Sequence, residues 1–152
     1  MLTTKRLKII PVTVDVLGKY GTTEYPVSGE MPPHIAWSIE ELEKDASFLG
    51  WGVWIVIEAT TDKIVGDIGF KGKPNMQKAV EMGYGILPHA RNNGYATEAV
   101  ETLCKWAFET GMVTKILADC FIDNTPSIKV LEKLNMKQID VKDNLLLWEL
   151  VQ

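Results

Sequence analysis

The sequence predicts an α/β fold of the α+β kind: a mixed, mostly antiparallel sheet of about seven strands with helices on both faces. Three observations carry that prediction. β-rich runs at Trp51–Ala59, Lys63–Phe70 and Lys78–Leu87 follow one another through short polar turns, the way antiparallel neighbours are joined. From Tyr95 to Thr110 apolar residues fall at Ala96, Ala99, Val100, Leu103, Cys104, Ala107 and Phe108, the stripe of a helix packed on a sheet. Strand, helix and strand then alternate, which adds a parallel neighbour and makes the sheet mixed. With 152 residues, 46% hydrophobic and 24% charged, the chain reads as one folded domain over 1–152.

The remaining elements follow in order. Lys5–Val12 alternates as a first strand closed by Pro11, and Val14–Tyr20 reads as a short helix. The stretch Gly21 to Trp37 holds Gly21, Pro26, Gly29, Pro32 and Pro33, and irregular segments of that length usually serve function. Ser38 reads as an N-cap, with Glu41 three residues on completing a capping box and Gly50 as the stop. Thr60–Asp62 is a hairpin turn, and Lys71–Gln77, with Gly72 and Pro74, turns the chain into its next strand. Gly111 ends the long helix and Thr114–Ile122 is a buried strand. Asn124-Thr125-Pro126-Ser127 opens a helix to Leu134, with Pro126 where a missing N–H costs little. Met136–Val141 and Leu145–Leu150 close the chain as a hairpin around Lys142-Asp143-Asn144.

Composition narrows the function. Net charge is −4 and no basic run exists, which argues against nucleic acid as a partner. Two cysteines without CxxC spacing and two histidines argue against a metal site or disulfide framework, so Cys104 and Cys120 read as small buried hydrophobes. No segment reaches the roughly 18 apolar residues of a membrane helix, and the N-terminus does not read as a signal peptide. The expectation is a cytoplasmic protein that binds no membrane.

The most informative segment runs Leu87-Pro-His-Ala-Arg-Asn-Asn-Gly-Tyr95, between a strand and the long helix. A turn rich in Asn and Gly that opens a helix aims unpaired N–H groups at one point, where the helix dipole adds about half a positive charge. Such a turn holds a phosphate. Its spacing matches neither GxGxxG nor GxxxxGK[ST].

Several short stretches, in this order, resemble the RimJ/RimL-like branch of the GNAT superfamily of N-acetyltransferases. They are Ile64-Val65-Gly66-Asp67-Ile68-Gly69-Phe70, Glu81-Met82-Gly83-Tyr84, Arg91 to Ala96 with Thr97-Glu98-Ala99 after it, and Asn124-Thr125-Pro126-Ser127 leading to Val130-Leu131-Glu132-Lys133-Leu134. The resemblance covers nearly the whole chain. It implies a GNAT-like sheet, acetyl-coenzyme A as co-substrate, and transfer of acetyl to a primary amine, either a protein N-terminus or a small molecule. It places Arg91, Asn92, Asn93, Gly94, Tyr95, Ala96 and Thr97 on the diphosphate, and the strand with Tyr84, Ile86 and Leu87 along the pantetheine arm. Asn124 and Ser127 would meet the pantetheine amides and the leaving sulfur. The resemblance is compatible with a monomer or a homodimer. Three departures stand out: Asn92-Asn93 replaces the family's Gly-Lys, Leu131 stands where many members carry a tyrosine that protonates the thiolate, and Asn135-Met136 replaces Gly-Phe. Those losses keep open an alternative, a non-catalytic acetyl-coenzyme A-binding sensor or assembly module.

An amine attacks only when neutral, and with a pKa of about 10.4 about one lysine-like molecule in 10³–10⁴ is neutral at pH 7. A proton acceptor within reach removes that handicap. Glu81 is the candidate, with its pKa raised by burial; the competing reading is a solvent-facing carboxylate paired with Lys78 or Lys71. For Asn124 a helix N-cap competes with a coenzyme contact, and Ser127 either bonds the sulfur or orients a water. Trp51, Trp54, Trp106 and Trp148 read as core. Trp37 is a candidate wall of the acceptor pocket, with Tyr25, Glu24 and Glu30 as candidate contacts to a cationic acceptor. His34 and His89 read as surface residues.

Overall fold

The computed structural model describes residues 1–21, 25 and 30–152. Its strands are β1 (Leu2–Thr3), β2 (Leu7–Pro11), β3 (Val53–Glu58), β4 (Ile64–Phe70), β5 (Ala79–Ile86), β6 (Lys115–Phe121), β7 (Lys137–Lys142) and β8 (Leu145–Val151). The helices are α1 (Val14–Tyr20), α2 (Pro33–Lys44), α3 (Tyr95–Glu109) and α4 (Thr125–Lys133). One sheet runs β1-β2-β3-β4-β5-β6-β8-β7, antiparallel at every step except the parallel β5–β6 pair. The eighth strand is the two-residue β1, too short to leave an alternating pattern in the sequence.

Two cores flank the sheet. On one face the α3 residues Ala99, Val100, Leu103, Cys104 and Ala107 pack with Val80, Met82, Ile116 and Leu131. The second cluster joins Val12, Tyr25 and Ile35 to Val53, Ile55 and Ile57, with α1 and α2 beside it. β3 is buried on both sides from Val53 to Ile57, which is why that run is continuously apolar rather than alternating.

Helix α2 departs from the sequence reading. It begins at Pro33, with proline at a first-turn position, so Ser38 is not an N-cap. Ser38 is 4% exposed in mid-helix, and its hydroxyl accepts the Val53 N–H at 2.9 Å. A buried N–H needs a partner, and this serine ties α2 to β3. The helix stops at Lys44, and the 3₁₀ turn Ala46–Phe48 is capped by Asp45. Gly50, at φ +94°, lies beneath Trp106, whose ring would stand 2.6 Å from any added Cβ.

Candidate active site

β5 and β6 pair over only three positions, Ala79↔Lys115, Val80↔Ile116 and Glu81↔Leu117, and then separate. β5 stays bonded to β4 as far as Ile86, and β6 stays bonded to β8 as far as Phe121. The divergence leaves a wedge-shaped notch in mid-sheet. The Glu81 carbonyl accepts from Lys71 and the Leu87 N–H donates to Val65, so odd-numbered residues of β5 turn their main chain toward β4. Tyr84 and Ile86 therefore turn theirs into the notch. The Ile86 carbonyl accepts from Arg91 Nε at 3.0 Å, and its N–H has no partner among the described residues. Leu87 is different: its N–H goes to Val65 and its carbonyl to the Ala90 N–H, so it offers the notch no main-chain group.

The loop after β5 has the form its composition predicts. Asn92 sits at φ +65° and Gly94 at φ +76°, the left-handed region that Asn and Gly enter most readily. Asn93 latches the turn by donating from Nδ2 to the carbonyls of Ala90 (2.9 Å) and Arg91 (3.2 Å). Helix α3 then starts at Tyr95 with no side-chain cap. Its first-turn N–H groups, from Tyr95, Ala96 and Thr97, are left for a ligand. A diphosphate fits this donor set, which is main chain rather than cationic side chain.

A network not legible in the sequence steadies that helix start. Arg6 Nε meets Glu98 Oε1 at 2.9 Å, and the Thr4 hydroxyl donates to Glu98 Oε2 at 2.5 Å. The Arg6 guanidinium lies 4.6 Å above the Tyr95 ring, whose hydroxyl donates to Glu58 at 2.6 Å. Burial works against the Glu98 carboxylate, but the Thr4 and Arg6 donors prevail and hold it below its ordinary range. These partners lie 92 and 94 residues apart in the chain, so no local pattern announces them.

Across the notch stands α4. Asn124 Oδ1 accepts the Ser127 N–H at 3.3 Å, which makes Asn124 the N-cap. The Tyr84 hydroxyl reaches over to donate to the Ser127 carbonyl at 3.3 Å. Burial is the main influence on the Tyr84 phenol and raises its pKa, so it remains a donor. Leu131, at the position of the family's tyrosine, is wholly buried in the core.

The opposite face of β5 carries Glu81, Gly83 and Gly85, since side chains alternate along a strand. Here the expected burial of Glu81 is corrected: its side chain is 59% exposed and lies 3.7 Å from Lys71. Among the described residues no helix covers the sheet at that point, and the carboxylate is exposed. A cavity of about 140 Å³ adjoins it, lined by Lys71, Glu81, Asp119, Ile139, Leu147 and Trp148 among others. Trp37, the candidate pocket wall, lies half-buried in α2 with its ring edge-on to Phe48 at 5.4 Å. Glu30 is exposed just ahead of α2, and Glu24 lies outside the described residues.

Sequence reasoning missed Asp67 on β4. Tyr25 donates from its hydroxyl to Asp67 Oδ2 at 2.8 Å, and His34 Nε2 lies 3.2 Å from Oδ1. His34 is thus an ion-pair partner rather than a bare surface residue. The Asp67 hydrogen bond is the largest influence on its imidazole and raises its pKa, against an opposing effect of burial. The only hint in the chain is a charged residue inside the β-rich run Ile64–Phe70. Among the described residues, no group of three His, Cys, Asp or Glu is placed to hold a metal ion, and no helix is long and apolar enough to cross a membrane.

Comparison with known proteins bears on the family and the fold. The family model described as Acetyltransferase (GNAT) domain matches residues 16–137. The uncharacterised N-acetyltransferase YjdG of Bacillus subtilis is 31% identical over 147 residues, 88% of each chain. A GNAT-family acetyltransferase from Bacillus anthracis superimposes with a TM-score of 0.71 at 21% identity, over 99% of this chain and 97% of that one. A spermidine N-acetyltransferase from Vibrio cholerae, solved with CoA and spermine, superimposes with a TM-score of 0.72 at 12% identity, over 98% and 97%. The ribosomal-protein-S5-alanine acetyltransferase of Vibrio fischeri gives 0.72 at 15%, over 99% and 95%. With a family model spanning most of its length and a relative aligned nearly end to end, the chain belongs to the GNAT family of acetyltransferases.

Proposed function

We propose that this protein transfers acetyl from acetyl-coenzyme A to a primary amine, as a cytoplasmic enzyme of the RimJ/RimL-like kind. The observation that carries the reading is the junction of an uncapped α3 N-terminus with a notch into which Tyr84 and Ile86 turn free main-chain groups. One end suits a diphosphate, the other an extended amide-bearing arm. The N–H groups of Tyr95, Ala96 and Thr97 hold the anion, with Asn92, Asn93 and Gly94 shaping the turn and Arg91 bracing it against Ile86. The Tyr84 N–H is assigned to the thioester carbonyl, where a main-chain donor stabilises the charge that develops on oxygen.

Acyl transfer forms a nitrogen–carbon bond and breaks the carbon–sulfur bond, while the ammonium gives up two protons, one to solvent before attack and one to the leaving sulfur. Glu81, exposed at the apex of the notch, takes the ammonium proton through water rather than as a buried base. Ser127, beside the Tyr84 hydroxyl, is assigned to hydrogen-bond the departing sulfur, a task Leu131 is unable to perform. Acceptors of both kinds occur among proteins of similar fold, a spermidine acetyltransferase and a ribosomal-protein acetyltransferase.

Calorimetry with acetyl-coenzyme A, followed by free-thiol release over a panel of peptides, polyamines and aminoglycosides, tests the reading. Binding with turnover on at least one amine is the expected result. Binding without turnover on any would favour a sensor or assembly module, and no heat at millimolar concentration would overturn both.

A further inference from the structure

We infer that Asp67, held between Tyr25 and His34, is the subsite that takes the positively charged acceptor amine. This deepens the acetyl-transfer reading and rests on it.

The placement comes from sheet register. Asp67 on β4 lies directly opposite Gly85 on β5, and Gly69 lies opposite Gly83. Cross-strand neighbours bring their Cβ atoms to about 5 Å, so a side chain at position 85 would crowd Asp67. Gly85 has none, and no described residue lies within 4 Å of where its Cβ would be. At Gly83, the next position on that face, an added Cβ would meet only Lys71 Cε, at 3.9 Å. Beside the carboxylate there is thus a bare strip of main chain about 7 Å long. The strip belongs to the strand whose far edge forms the notch, so a nitrogen above Gly85 stands about one strand spacing, roughly 5 Å, from the proposed thioester position.

The chemistry comes from how Asp67 is held. Tyr25 is 4% exposed and donates to one carboxylate oxygen. Burial, then the Asp67 charge and hydrogen bond, push its phenol pKa far upward, so it stays a permanent donor. The other oxygen faces His34, whose side chain is 51% exposed against 21% for Asp67. An ionised carboxylate offers about four lone-pair sites, and the two donors found among the described residues leave room for another. Asp67 therefore has one fixed tie, one exchangeable solvent-facing partner and an open floor at its side. A protonated primary amine supplies the compact donor that such a site accepts. Glu81 is less suited to first capture of the cation, because it already lies beside Lys71.

Benzylamine, cationic at pH 7.5, and aniline, neutral there and nearly the same size, separate charge from shape. Thiol release is followed for both at saturating acetyl-coenzyme A. Losing a charge-assisted hydrogen bond, Asp67→Asn is expected to raise KM for benzylamine by about 10-fold or more, with kcat, aniline kinetics and acetyl-coenzyme A affinity changed by less than about threefold. His34→Gln removes the imidazole that occupies Asp67 Oδ1 and should move the benzylamine KM the other way. A purely structural role for Asp67 would shift both amines together and overturn the assignment. Should Asp67→Asn not fold, His34→Gln decides: an unmoved benzylamine-to-aniline ratio overturns it. If neither amine turns over, spermidine binding in the presence of coenzyme A takes their place, and equal affinity in wild type and variants counts against Asp67. Failure of the wild-type protein to bind acetyl-coenzyme A overturns the acetyl-transfer reading itself. Intact coenzyme binding with unmoved discrimination overturns Asp67 alone.

Discussion

The two sides of β5 differ in how they are built. On the proposed coenzyme side, the turn from Arg91 to Thr97 is contiguous, and the groups it offers are main-chain amides set by two left-handed residues, Asn92 and Gly94. On the acceptor side, Tyr25, His34, Asp67 and Gly85 come from four separate segments and meet only because β4 and β5 hold one register. A site made of main chain tolerates change in side-chain identity, which is how Asn-Asn replaces Gly-Lys without losing the turn. A site made of side chains across strands is open to change of specificity at each contributor.

Substitutions that fill or strain one side should leave the other unmoved. The largest effect is expected from Gly85→Val, whose Cβ has room among the described residues and whose methyls fill the bare strip beside Asp67. Displacing an acceptor by about an ångström costs on the order of 10²-fold in kcat/KM, and acetyl-coenzyme A affinity should stay within about twofold. Steady-state thiol release beside calorimetry reads both; parallel loss of coenzyme binding would show that the two sides are one site. Gly94→Ala is the mirror experiment. At φ +76° a Cβ costs about 1–2 kcal/mol, or roughly 10-fold in coenzyme affinity, with acceptor discrimination preserved. An unchanged dissociation constant would remove the α3 N-terminus from the coenzyme site.

The smallest effect concerns stability against pH. The folded-state pKa of His34 is raised by Asp67, so its contribution is complete below the unfolded value of about 6.5 and fades as pH rises through the folded value. With both groups partly exposed, the contribution is about 1 kcal/mol or less. Urea midpoints of wild type and His34→Gln should differ at pH 5.5 and converge by pH 9. A gap that widens with pH would contradict the ion pair.

Much of the coenzyme side was legible along the chain. The 3.6-residue stripe from Ala96 to Phe108, the Asn-Gly turn and the Asn124 cap act over a few residues, within reach of local rules. Ser38 shows where such rules fail: Ser-x-x-Glu fits a capping box, yet Pro33 starts the helix earlier and a buried Val53 N–H claims the hydroxyl. Glu81 shows the same limit. Its strand was correctly read, but burial depends on whether a helix reaches that end of the strand, and among the described residues none does. Asp67 lay inside a motif already noted, and nothing near it in sequence revealed Tyr25 or His34, 42 and 33 positions away.

Periodicity, turn chemistry and the order of elements were therefore enough to give the class of sheet and the Asn-Gly turn that opens α3, because each depends on hydrogen bonds closed between near neighbours. The splay of β5 from β6, the exposure of Glu81 and the meeting of Asp67 with its partners were decided only on folding. They depend on strand register and helix cover, which arise when segments tens of residues apart compete to bury the same surfaces.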